Sequence, residues 1–155
     1  MLITQKLWES NYELAYLSLN TKFVQGLKNG DLPKLKFQEY LAQDYFFLES
    51  FARAYGLAVS KSKNKKTIKI LSGLLSGVSE ELILHESYAK KWDIDLTTNS
   101  LEPATKKYTD FLEDVSLNLS LIEILCSMTP CMCLYSWIGK NLLNMISNNP
   151  YKDWI

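Results

Sequence analysis

The sequence predicts an all-α protein. Three observations lead there: long stretches in which apolar residues recur every three or four positions, no convincing alternating run of the kind a strand needs, and only 6 glycines and 4 prolines among 155 residues to build turns. A chain of 155 residues is one domain's worth, since domains hold roughly 100–200 residues, so 1–155 reads as a single domain. At 47% hydrophobic and 22% charged it has enough apolar material for a core, which excludes a disordered chain. Lys plus Arg and Asp plus Glu both number 17, so the formal charge is zero. A protein that grips a phosphate backbone carries a basic excess, and nucleic acid is therefore not the expected partner.

The elements follow in order. A first helix is expected over 3–19 and a short second one over 23–27, before Asn29-Gly30-Asp31 and Pro33 mark a turn and a helix start. Over 34–59, Phe37, Tyr40, Leu41, Asp44, Phe47, Leu48, Phe51 and Tyr55 fall on one helical face. The basic stretch 60–69 reads as a solvated linker into a helix over 67–92, which ends on Lys90 and Lys91, where cations suit the helix dipole. After a loop over 94–103, Pro103 can open a helix to about residue 115. The last complete helix is expected over 119–147, apolar on nearly every side and charged only at Glu123 and Lys140, the mark of a helix central to a bundle. Pro150 then looks like a new helix entrance.

The compartment can be read from what interrupts or clusters. Cys126, Cys131 and Cys133 are an odd, closely spaced set and a poor disulfide framework, so a reducing environment is expected. The N-terminus lacks a basic-then-apolar signal pattern, and no uninterrupted apolar stretch approaches the roughly 20 residues that span a bilayer. These observations point to a soluble, cytoplasmic chain with no membrane partner.

Few residues offer chemistry. Asp44 lies within an aromatic stripe, where an ionised carboxylate needs a partner, and spacing alone favours a structural tie and a functional group equally. Cys131 follows Pro130, which cannot donate to the Cys126 carbonyl and so can kink the helix beside a thiol; a small buried hydrophobe is the plainer reading. His85 lacks the second histidine of a helical zinc motif and reads as a hydrogen-bonded structural residue. No metal site and no cofactor are expected.

The blocks GLKNGDLPKLKFQEYLAQDYFFLESFARAY, EELILHESY, PATKKYTDFL, CSMTPCMCLYSWIGK and NPYKDWI stand in an order and at intervals that resemble the thiaminase II (TenA) family. The resemblance covers essentially the whole chain, and its QDY and TPC blocks are the most specific. It implies a haem-oxygenase-like helical bundle, and the TPCMxLY wording is similar to that of plant thiamine-salvage proteins. By the same resemblance, Cys131 matches the family nucleophile and Asp44 the carboxylate that hydrogen-bonds the aminopyrimidine. Tyr108 matches an active-site tyrosine, and Tyr135 lies beside the cysteine. Phe47 stands where many bacterial members have tyrosine, so it can stack but cannot donate a hydrogen bond.

The expected activity is hydrolysis of 4-amino-5-aminomethyl-2-methylpyrimidine, and of thiamine, to hydroxymethylpyrimidine. The other readings are a non-catalytic pyrimidine-binding or regulatory module and a purely structural helical oligomer. The resemblance also implies a homo-oligomer, commonly a tetramer. It further implies helices after Ile155 that supply another tyrosine and a catalytic glutamate, so the chain is expected to be C-terminally incomplete.

Overall fold

A computed structural model of the chain describes residues 2–94, 100–143 and 148–154, and all regular structure among them is helical. The helices are α1 (Ile3–Ser10), α2 (Tyr12–Leu19), α3 (Lys22–Asn29), α4 (Lys34–Lys61), α5 (Lys65–Trp92), α6 (Pro103–Asn118) and α7 (Leu121–Leu142). The chain divides into two compact units, one formed by Met1–Lys36 with Cys131–Ile155 and the other by Phe37–Pro130.

In the first unit, the single helix expected over 3–19 is two. Asn11 interrupts it: its backbone N–H donates to the Trp8 carbonyl at 3.0 Å, and its side-chain amide takes the Leu7 carbonyl at 2.8 Å. An asparagine side chain that captures a carbonyl in this way competes with the helical ladder. Trp8 and Tyr12, on either side of the break, both meet Trp137 edge-on with ring centroids 5.8 Å apart.

Thr21 caps α3 by accepting from the Val24 N–H at 3.3 Å, and Gly30 ends it at φ 78°, a left-handed conformation that glycine adopts without Cβ strain. The Asp31 and Leu32 N–H groups both donate back to the Gly26 carbonyl at 3.1 Å. The tail closes over this turn. Asn149 donates from its amide to the carbonyls of Leu27 (2.7 Å) and Lys28 (3.1 Å), and its side-chain oxygen accepts from the Tyr151 N–H at 2.8 Å. The Tyr151 hydroxyl donates to the Leu32 carbonyl at 2.5 Å. The helix expected to start at Pro150 is therefore only a run of turns over 150–154. Asn149 is tied to α3, and its oxygen binds just two residues ahead, an Asx-turn.

The second unit has its core on α4. Phe37, Leu41, Phe51, Leu112, Ile124 and Met128 are its largest fully buried apolar side chains among the described residues, supplied by α4, α6 and α7. The expected linker over 60–69 shrinks to residues 62–64, because Asn64 caps α5 by accepting from the N–H groups of Lys66 (2.8 Å) and Thr67 (3.4 Å). Lys61, in the last turn of α4, reaches the open end of α6. Its ammonium donates to the carbonyls of Ser116 (2.7 Å), Leu117 (3.1 Å) and Leu119 (2.6 Å). Helix α6 runs to Asn118, three residues past the expected end.

The connection after α5 is held near both ends. Gln38 donates to the Trp92 carbonyl at 3.0 Å, while Gln43 donates to the Ser100 carbonyl at 3.0 Å and accepts from the Glu102 N–H at 2.9 Å. Of the loop expected over 94–103, residues 95–99 lie outside the described residues.

Helix α7 starts on a capping box, with Glu123 accepting from the Ser120 N–H at 2.8 Å. That bond pulls the Glu123 carboxyl below its ordinary value. The helix continues without interruption through Pro130, and of the expected extension to 147, residues 144–147 lie outside the described residues. Two expectations for α7 are corrected. By length and composition its 22 residues are apolar enough to cross a membrane, because Glu123 and Lys140 fall near its ends. It is also not buried on every side: Ile124, Met128 and Leu142 are, whereas Ile122 is 72% and Tyr135 50% exposed.

Candidate active site

Asp44 belongs to α4 and His85 to α5, and both lie in the second unit. His85 is 2% exposed, and its Nε2 lies 2.8 Å from Asp44 Oδ2. Its Nδ1 lies 2.9 Å from the backbone carbonyl of Glu81, one turn earlier in α5. The ring is thus held at both nitrogens. The Glu81 carboxyl is pushed above its ordinary value, first by partial burial and then by the negative charge of Asp44, with His85 pulling the other way. The three groups are therefore within electrostatic reach of one another.

The next turn of α4 carries an aromatic wall. The Phe47 ring lies nearly parallel to Tyr108 of α6, with centroids 5.4 Å apart and planes 14° apart. Phe51 packs against Phe47 at 4.5 Å, and Phe111 continues the stack from Tyr108 at 6.2 Å and 14°. The Tyr108 hydroxyl donates to the Ser127 carbonyl of α7 at 3.2 Å, which fixes the ring in its plane.

Cys131 and Tyr135 fall in the first unit, one helical turn apart on α7. All three cysteines are reduced thiols; Cys126 and Cys133 are exposed, and Cys131 is half-buried. The structure therefore brings Asp44 to His85 and Phe47 to Tyr108, and sets Cys131 beside Tyr135 along one helix. In chemical terms it offers a hydrogen-bonding carboxylate, a flat aromatic surface and a sheltered thiol.

Sequence reasoning missed the partner of Asp44. His85 was legible as a hydrogen-bonded residue, but its partner stands 41 positions away, beyond any local spacing rule. One signal was available. His85 is the only histidine, and it falls seven residues after Val78 on a helical face that is otherwise apolar where it is buried.

The sequence matches the TENA/THI-4/PQQC family over residues 10–155. The aminopyrimidine aminohydrolase of Halalkalibacterium halodurans is 34% identical over 158 residues, covering 97% of this chain and 67% of that protein. The mitochondrial bifunctional TH2 protein of Arabidopsis thaliana is 32% identical over 173 residues, covering 97% of this chain and 28% of that one. Among solved structures, a TenA family transcription regulator from a Silicibacter species superposes with a TM-score of 0.86 at 32% identity, covering 96% of this chain and 68% of that chain. The chain spans 65% and 67% of the length of two bacterial relatives it matches.

Helices in this order, superposing on a TenA protein over nearly their whole extent, define the all-α, haem-oxygenase-like class. The chain belongs to the TENA/THI-4/PQQC family.

Proposed function

We propose that this chain carries the aminopyrimidine-hydrolysing site of thiamine salvage, with Cys131 as nucleophile. The observation that carries the reading is the 34% identity, over 97% of the chain, to a protein named aminopyrimidine aminohydrolase. The Asp44–His85 pair and the Phe47–Tyr108 stack support it, because an aminopyrimidine needs a hydrogen-bonding carboxylate at its edge and an aromatic surface at its face.

In this mechanism the Cys131 thiolate adds to the pyrimidine ring, and the ring electrons expel the group on the exocyclic methylene. That group leaves as ammonia from 4-amino-5-aminomethyl-2-methylpyrimidine, or as the thiazole from thiamine. Water then adds to the methylene carbon, the C–S bond breaks, and the thiolate returns as hydroxymethylpyrimidine departs. One water is consumed for each ammonia released. Asp44 accepts from the amino group and orients the ring, Phe47 and Tyr108 wall it, and Tyr135 stands a turn beyond the thiol. No metal or organic cofactor enters. The chain works in the cytoplasm as a homo-oligomer, a tetramer by family resemblance.

The test is the alkylation rate of each cysteine by iodoacetamide, read by mass spectrometry with and without hydroxymethylpyrimidine. Cys131 should react fastest despite being the most sheltered of the three thiols, and the pyrimidine should protect it alone. Uniform slow labelling that the ligand leaves unchanged would overturn the assignment. A second reading, a pyrimidine-responsive regulator without turnover, is favoured by the likeness to the Silicibacter protein, which is named a transcription regulator. It predicts the same protection of Cys131 with no release of ammonia.

A further inference from the structure

The hydrogen bonds around His85 fix where its protons are. A backbone carbonyl only accepts, so Nδ1, 2.9 Å from the Glu81 oxygen, must carry a hydrogen. A neutral imidazole has one N–H, and with it on Nδ1 the Nε2 lone pair would face the Asp44 carboxylate at 2.8 Å. Two acceptors at that distance repel, and a side chain that is 2% exposed has little water to put between them. A second proton therefore belongs between Nε2 and Oδ2. Imidazole holds a proton more tightly than a carboxylate does, which places it on Nε2.

We infer that His85 is the positioning residue for Asp44: as a doubly protonated ring anchored on the Glu81 carbonyl, it pins Oδ2 and leaves Oδ1 to receive the amino group of an aminopyrimidine. This deepens the reading given under Proposed function and rests on it for the identity of the ligand. Two features carry it. The ring is anchored on its own helix, so it cannot turn away from α4. Asp44 Oδ1 has no hydrogen bond among the described residues, whereas Oδ2 has a short one. An oxygen held on one side by a cationic donor keeps its plane, and the other oxygen is then aimed without a search through rotamers.

Because His85 is the only histidine in the chain, its ring nitrogens give the only imidazole signals in a ¹⁵N spectrum, and no assignment by mutation is needed. At neutral pH both should carry hydrogens, with the Nε2 proton shifted downfield by the short bond to Asp44. An Nε2 signal of the unprotonated type overturns the inference outright. The second arm measures hydroxymethylpyrimidine binding through the protection of Cys131. His85→Phe, which keeps the ring volume and removes both donors, should weaken binding tenfold or more while far-UV circular dichroism stays unchanged. His85→Gln, which keeps one N–H donor, should fall between the two. If both variants bind as tightly as the parent chain, the positioning role is refuted. If the parent chain itself shows no protection while both nitrogens carry hydrogens, the proposed function fails, and the ligand-facing role of the pair fails with it. The spectrum of the unaltered protein decides the protonation even if a variant does not fold.

Discussion

Replacing Asn149 with alanine tests how the tail is held. Its amide donates to Leu27 and Lys28, and its oxygen accepts from Tyr151 N–H, so the substitution removes these hydrogen bonds at a residue that is 7% exposed. The Leu27 carbonyl keeps the bond it accepts from the Gly30 N–H at 3.2 Å, which softens one of these losses. At about 1 kcal/mol for each neutral hydrogen bond, the cost is about 2–3 kcal/mol. For a protein of this size that lowers the melting temperature by roughly 4–12 °C.

Tyr151→Phe loses the bond to the Leu32 carbonyl and should cost about 1 kcal/mol. Asn149→Asp sharpens the test. It keeps the acceptor for Tyr151 but turns an anion toward two carbonyls, so it should be no more stable than the alanine variant. Urea unfolding followed by tryptophan fluorescence measures all three. A loss below about 0.5 kcal/mol for Asn149→Ala, or an Asn149→Asp protein as stable as the parent, refutes the reasoning.

Other predictions concern the joints and the site. Lys61→Met removes three bonds to carbonyls at the end of α6 and should cost about 1–2 kcal/mol, less than fully buried charge-assisted bonds would, because the lysine is partly exposed; urea unfolding checks it, and raised salt should narrow the difference. Gly30→Ala forces a side chain into φ 78° and brings its Cβ to 3.2 Å from Pro150 Cδ, so about 1–2 kcal/mol should be lost in the same assay. Glu81→Gln should stabilise the protein at pH 7 and not at pH 4. The folded state holds the Glu81 proton more tightly than the unfolded one, so its unfavourable contribution grows as pH rises from the ordinary value of 4.5 through the raised folded value. Melting curves at both pH values read that difference.

Helices over which period and capping agree were legible. Helix α4 carries an unbroken stripe from Phe37 to Ala58, and α6 opens on Pro103, so both were readable to within three residues of their ends. The failures have physical causes. Asn11 looks neutral in a helical pattern, yet it takes the Leu7 carbonyl at the point where the one expected helix is two. Asn64 caps a helix from inside what composition marks as a basic linker. Pro150 carries a start signal, but Asn149 before it is committed to a turn that ended 119 residues earlier in the chain, counting from Gly30. The site shows the same division. The residue types at Asp44, Phe47 and Tyr108 were readable from motif wording, whereas the partner that orients Asp44 depends on how α4 and α5 meet.

The division into units also bears on the order of events during synthesis. Residues 37–130 are continuous, so the second unit has its whole sequence in hand once they have left the ribosome. The first unit does not: its two segments are separated by that entire stretch, and the Asn149 clasp on Leu27 spans 122 positions. The N-terminal helices must therefore wait, with the turn after α3 unclasped, until Asn149 arrives, and Leu2, Ile3, Leu7, Leu14 and Leu17 are open to water in the finished fold as well. Such an interval favours capture of the nascent N-terminus by a chaperone that binds short apolar segments. Slowing translation after residue 130 should lengthen it.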